Sequence, residues 1–433
     1  MIQNTRKKLR SLQRQARYGS ADGSMSSTSA ASQEKITILT PSPAGLPSWR
    51  QIIQPHPDVA EGRYYNAEFA ADLAQVASGG GSFEYRDPKE FFDRTYVTEG
   101  LKGLLVQAIQ RVTGQGGEPV IQLKTAFGGG KTHSMLALYH LLRGGSVLNK
   151  IDAVGALLKA AQASALPPVH VAVLVERILI PMSQNQRKTV PNTTISTLWG
   201  DLAAQLALSA NKPELYGLVR NADENAVSPG SEALRKLFDG CGSCLVLMDE
   251  LVAYARRIYG AKNRLPAGNF DNFISFIQEI SEAARASKSS LVVASIPESN
   301  IEIVSDAGRK ALHVIEHTFG RMEAIWKPVA ANEGFEVVRR RLFLPCKDRD
   351  ARDRVCQAFS DMYRENAADF PPETRELDYR ERMKACYPIH PEVFDRLYED
   401  WATLEKFQRT RGVLRLMASV IHELWMEQDS GLL

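Results

Sequence analysis

The residues best suited to chemistry lie in two stretches. The first is Thr125-Ala-Phe-Gly-Gly-Gly-Lys-Thr132. Gly128, Gly129 and Gly130 have no side chains, so backbone N–H groups there, with Phe127 beside them, can close around phosphate oxygens. A helix opening at Lys131 adds positive potential at its N-terminus. Lys131 has the reach to meet β- and γ-phosphates, and the Thr132 hydroxyl is a hard oxygen ligand for Mg²⁺. Thr125 stands where the usual G-x-x-x-x-G-K-[ST] pattern has glycine. A Gly-rich strand-to-helix turn with a following Lys-Thr is therefore the competing reading.

The second stretch is Leu245-Val-Leu-Met-Asp249-Glu250. A continuous apolar run reads as a buried strand, and it delivers two carboxylates at its C-terminal end, the edge where open α/β sheets bind ligands. Asp249 suits the Mg²⁺ shell, and Glu250 suits a general base acting on water. Together the two stretches imply ATP with Mg²⁺ and hydrolysis of the β–γ phosphoanhydride.

The elements that must position these residues can be traced along the chain. Residues 1–45 read as a basic, Ser-rich arm with nothing to bury. Its first 33 residues carry a net +5, which leaves the rest of the 433-residue chain at −2. That balance offers no bulk-charge case for nucleic-acid binding by the body. Residues 46–113 read as a helical segment. It includes one long helix from Asp87 (N-cap, followed by Pro88) to Val112, with Tyr96 and Glu99 placed to approach an adenine. Strands are expected at 119–124, 170–175, 244–248 and 291–295, with a short fifth at Met322–Trp326. Helices lie between them, as at Lys131–Leu142, Thr194–Leu208 and Asn272–Ala286. This alternation predicts an α/β fold, a parallel sheet with helices on both faces, over 114–328. Residues 329–433 read as an α-helical lid. Lys131 and Asp249 are 118 residues apart, so 181–240 must hold an inserted helical element entered through a Pro/Asn-rich loop, Pro181 to Asn192. Five cysteines form no disulfide framework, which argues for a reducing, cytoplasmic setting. No apolar run approaches the ~18–20 residues a membrane helix needs.

A phosphate loop, a strand ending in Asp-Glu and a third strand ending in a polar residue resemble the AAA+ branch of P-loop ATPases. The resemblance implies that Ser295, at the end of Leu291-Val-Val-Ala-Ser, senses the γ-phosphate or lytic water. It implies that Arg321, in Gly320-Arg-Met-Glu before the lid, is a finger reaching a neighbouring subunit, and hence a homo-oligomer. It also implies a second sensor at Arg415 in Thr410-Arg-Gly-Val-Leu-Arg415, with Arg411 the competitor. Met322 and Glu323 depart from the family's Phe-Asp. A closer resemblance covers 46–428. Pro55-His-Pro-Asp-Val59, Glu84-Tyr-Arg-Asp-Pro88, Thr95-Tyr-Val-Thr-Glu-Gly-Leu101 and Phe127-Gly-Gly-Gly-Lys-Thr-His-Ser-Met135 are similar to a prokaryotic AAA+-type family known as domain of unknown function 499. That similarity extends the nucleotide-binding stretch to His133. It implies a partner such as a DNA methyltransferase or another phage-defence component, while contact with DNA itself is not read from the sequence.

Other features read as structural. Cys241-Gly-Ser-Cys244 lacks the second pair a zinc site needs. His56 reads as a turn histidine, Arg339-Arg-Arg341 as a solvated helix face, and Trp199 and Trp326 as core. Two functions are carried forward: an ATPase that powers or regulates a DNA-modification complex, and a nucleotide-gated binding module with little turnover.

Overall fold

The computed structural model describes residues 45–63, 71–125, 130–144, 148, 151–175, 194–259, 265–297, 306–319, 324–326, 333–399 and 409–432. Helices of seven or more residues are labelled. α1 (Pro88–Arg94) and α2 (Glu99–Val112) precede β1 (Val120–Thr125), which feeds α3 (Lys131–Gly144) and α4 (Asp152–Ala160). β2 (His170–Val175) is followed by α5 (Leu198–Ser209) and α6 (Ser231–Cys241). Then come β3 (Cys244–Asp249), α7 (Leu251–Ile258), α8 (Phe270–Ala286), β4 (Ser290–Pro297), α9 (Asp306–Phe319) and β5 (Ala324–Trp326). The rest is helical: α10 (Gly334–Leu342), α11 (Arg349–Glu365), α12 (Leu377–Cys386), α13 (Pro391–Glu399) and α14 (Arg409–Met426).

The strands form one sheet in the order β2-β3-β4-β1-β5, and every pairing is parallel. Alternate residues of each strand face opposite sides. Val120, Val246, Met248, Val292 and Ala294 meet α5 to α9 on one face. Ile121, Leu123, Leu245, Leu247 and Val293 meet α1 to α4 on the other. With both faces covered, β3 is buried from end to end, which is why its sequence is a continuous apolar run rather than an alternation. Trp199 is core, as expected. Among the described residues, no helix is long and apolar enough to cross a membrane.

Two expectations about the first hundred residues need correction. The single helix from Asp87 to Val112 is broken into α1 and α2. Thr95, Val97 and Thr98 are β-branched and poor helix formers. Thr98 then caps the second helix by accepting the Leu101 N–H at 3.0 Å. Asp87 does cap α1, its carboxylate accepting from Glu90 N at 2.9 Å. Residues 46–113 also divide between two cores. Trp49, Ile52 and Val59 pack with Val338, Leu342, Val355, Phe394 and Val413 of the C-terminal helices, not on the sheet. The indole N–H of Trp49 donates to Asp429 at 3.0 Å, and Pro55 bridges Phe343.

The described part of the stretch between β2 and β3, residues 194–243, is largely helical; the Pro181–Asn192 loop lies outside the described residues. It folds around the buried carboxylate of Asp223, which accepts from Thr197 N (2.8 Å), Thr197 Oγ1 (2.5 Å), Ser196 N (3.2 Å) and the Tyr216 hydroxyl (2.7 Å). Gly200 makes room for it: a Cβ there would sit 2.3 Å from the Asp223 carboxyl carbon. Gly200→Ala should therefore lower stability by about 1–3 kcal/mol through overpacking. A urea midpoint equal to that of the unaltered chain would show that the carboxylate can move aside.

Candidate functional site

β1 and β3 are separated in the sheet by β4, and the carboxyl ends of all three lie along one edge. At that edge β1 leads through Gly130 into α3. Gly130 has φ 85°, a conformation that suits a residue without a side chain. Its carbonyl accepts from Ser134 N at 2.9 Å and from the Ser134 hydroxyl at 3.0 Å. Lys131 and Thr132 therefore open a 14-residue helix, whose N-terminal dipole favours anions.

Across the edge, Asp249 is buried at the end of β3 and both its oxygens are engaged. Oδ2 accepts from the Thr132 hydroxyl at 3.1 Å. Oδ1 accepts from the Ser295 hydroxyl and from Glu250 N at 3.0 Å. Ser295 Oγ in turn accepts from Glu250 N at 3.1 Å. Ser295 reaches Asp249 because β4 lies beside β3, with Met248 opposite Ala294. Glu250 is exposed and takes φ 59°, ψ 32°, the left-handed region. For a residue with a Cβ this costs roughly 1–2 kcal/mol. It turns the chain from strand into α7 within one residue, and strain of this kind clusters at functional sites.

His133 follows in the first turn of α3. The Thr95 hydroxyl donates to Phe91 O at 2.6 Å, so its oxygen is left to accept from His133 Nε2–H at 3.0 Å. The Phe91 ring lies 4.6 Å from the imidazole. Burial, with the charge of Arg341 and the neighbouring His140, pushes the His133 pKa down to about 3. His133 is thus a neutral clasp between α3 and the α1–α2 break, not a proton carrier near neutral pH. Tyr96 is half-buried in that break, and Glu99 is exposed, its N–H donating to the Glu333 carboxylate at 2.9 Å.

Arg341 corrects the reading of Arg339-Arg-Arg341 as a solvated face. Its side chain is buried, pairs with Glu84 at 3.1 Å and lies 5.1 Å over the Tyr85 ring. Burial works against its charge, but Tyr85, Glu84 and Asp58 outweigh it and hold the pKa up. His56 is likewise buried, with Nε2 3.3 Å from Arg340 O. Burial first, then the Arg94 charge, lowers its pKa to about 4. Neither contact has a local signal in the sequence, since the partners lie hundreds of residues apart.

A pH dependence follows. An unfolded chain protonates both histidines near 6.5, whereas the folded one keeps His56 neutral to about 4 and His133 to about 3. Between those values the unfolded state holds more protons, so stability falls as pH drops, by up to about 1.4 kcal/mol per pH unit per histidine. Urea midpoints at pH 7, 6 and 5 should decline accordingly. His133→Gln, which can still donate to Thr95, should flatten the slope; an unchanged slope would mean His133 titrates alike in both states.

Of the remaining expected site residues, Thr125 ends β1 and Arg415 is exposed on α14. Phe127, Gly128, Gly129 and Arg321 lie outside the described residues. Cys241 ends α6 and Cys244 opens β3; burial pushes the first thiol up to about 11 and the second well above its ordinary range, so neither is a ready nucleophile. Among the described residues, no three His, Cys, Asp or Glu side chains gather as a metal cage.

Fold and site together define a parallel α/β protein with a hydroxyl–carboxylate–hydroxyl cluster at the carboxyl edge of its sheet. The chain belongs to the DUF499 family: the family model described as the DUF499 N-terminal domain matches residues 52–331. That stretch takes in all five strands and Thr132, Asp249, Glu250 and Ser295, and ends before α10. A comparison with curated proteins finds no match.

Proposed function

We propose that the chain is a P-loop ATPase of AAA+ type, binding ATP with Mg²⁺ and hydrolysing its β–γ bond. The observation that carries this reading is the 3.1 Å contact between Thr132 Oγ1 and Asp249 Oδ2. It joins the two stretches singled out by their chemistry across 117 positions, beside a helix N-terminus suited to phosphate. Lys131 and the first N–H groups of α3 match the charge of the triphosphate. Thr132 and Asp249 fit Mg²⁺, which takes a few hard oxygens from protein and the rest from phosphate and water. When bound, that ion supplies charge neutralisation at the β- and γ-oxygens. Glu250 accepts the proton of a water whose oxygen attacks the γ-phosphorus, and the β–γ bridging oxygen leaves with ADP. Ser295 and the Glu250 N–H hold the Asp249 carboxylate in place. Assembly with neighbouring copies through Arg321, and work on a DNA-modification or defence partner, extend this reading from the family resemblance.

The test is calorimetric titration with ATP, with Mg²⁺ and with chelator, alongside phosphate release. Lys131→Ala should weaken ATP binding by roughly 30-fold or more, the lower end of the cost of losing one partner of a charge pair. Undiminished binding in that variant would place the nucleotide elsewhere.

A further inference from the structure

α7 and α9 pack together on one face of the sheet, burying Leu251, Tyr254, Ile258, Ala311, Leu312 and Ile315. Their outer sides are cationic: Arg256 and Arg257 on α7, Arg309 and Lys310 on α9, all exposed. A groove of about 450 Å³ is lined by Tyr259, just past α7, and by Arg309, Lys310, His313, Val314 and Glu316 of α9. Among the described lining residues Glu316 is the one acid, and Lys124 pairs with it at 2.5 Å. This charge is local, because the chain beyond its first 33 residues is net −2.

The geometry points to a single-stranded nucleic acid as the occupant of this groove. Arg309 and Lys310 of the lining, with Arg256 one turn before Tyr259 on α7, take phosphates, and Tyr259, whose ring meets Phe270 in a T-shaped contact at 5.0 Å, takes a base together with Val314. Cationic rims around an aromatic floor are what single-strand binding needs, since every base offers a stackable face whatever the sequence. A duplex keeps its base faces stacked inside and leaves Tyr259 and Val314 with nothing to cover. An acidic protein surface would satisfy the cations but gain nothing from the ring. The position also gives the strand a route to the sheet edge: α7 begins at Leu251, directly after Glu250. That link to turnover rests on the ATPase reading; the binding does not.

The test is fluorescence anisotropy of the full chain with a labelled oligothymidylate of about 20 nucleotides, titrated at several salt concentrations. The logarithm of affinity should fall with the logarithm of salt by about 0.7 per phosphate contacted, and Arg256→Gln/Lys310→Gln should reduce that slope by about 1.4. Tyr259→Ala should weaken binding roughly 5- to 100-fold at unchanged slope. Circular-dichroism melts confirm that each variant folds. Three results overturn the proposal: no binding, binding indifferent to these variants, or binding lost when the six basic residues of the first 33 are changed to glutamine. Equal competition by polyglutamate, charge for charge, would make the surface a docking site for acidic protein and also defeat it. Strand binding with the expected variant effects, in a chain that neither binds nor hydrolyses ATP, would leave this inference standing and remove the ATPase reading alone.

Discussion

Replacing Glu250 with glutamine should lower ATP hydrolysis by roughly 10²–10⁴-fold, the usual contribution of a positioned general base. ATP affinity should stay near that of the unaltered chain, because the amide keeps the shape and neither Lys131 nor Thr132 is touched. Backbone geometry gives this experiment a second arm. Glu250 sits at φ 59°, where a side chain is disfavoured by roughly 1–2 kcal/mol. A glycine there relieves that strain. Glu250→Gly should thus be as inactive as the glutamine variant while holding stability at or above that of the unaltered chain. Loss of activity with stability kept separates a chemical role from a structural one. Hydrolysis at the unaltered rate in Glu250→Gln would remove the base from this edge, and the enzyme assignment with it.

How far the sequence reveals this site depends on how local each contact is. β3 is legible because burial on both faces demands an unbroken apolar run, and Asp249 is legible because it ends that run. The helix N-terminus at Lys131 is legible from the glycines before it. The break at 95–98 is legible too, in Thr95, Val97 and Thr98, but Phe92, Tyr96, Leu101, Leu105 and Ile109 recur at helical spacing across it and mask it: that spacing survives a short interruption. Arg341 had no such signal. It lies in a run of three arginines, of which Arg339 pairs with Glu336 on the same helix. Its burial is decided by Glu84 and Tyr85, more than 250 residues away. The same holds for Trp49, whose helical turn is too short to declare a face and whose partner, Asp429, stands 380 residues on. Contacts made by a chain folding back across its whole length leave no periodicity in either partner.

The Arg341–Glu84 pair is where the second large effect is expected. It joins two cores: Tyr85 packs with the helices on the sheet, while Val338 and Leu342, on the same helix as Arg341, pack with the C-terminal helices. Both side chains are largely withdrawn from solvent, 7% and 12% exposed. Arg341→Met strands the Glu84 carboxylate, and breaking one side of a buried pair costs roughly 3–5 kcal/mol. Glu84→Gln should cost less, since the amide can still accept from the guanidinium. The double variant Arg341→Met/Glu84→Gln should recover much of the loss, because no unpaired charge remains and methionine fills the volume. The denaturant midpoints of the four proteins close a double-mutant cycle. A local readout accompanies it. After burial, the charge of Arg341 is the next cause holding the His133 imidazole low. Its pKa, followed by NMR, should therefore rise in Arg341→Met and in the double variant alike. If the losses of the single variants simply add, Arg341 and Glu84 act independently and the C-terminal helices are not held to the sheet through this pair. If they couple and the His133 pKa moves, one buried guanidinium both fixes the C-terminal helices against the sheet and adds to the burial that keeps His133, in the first turn of α3, neutral.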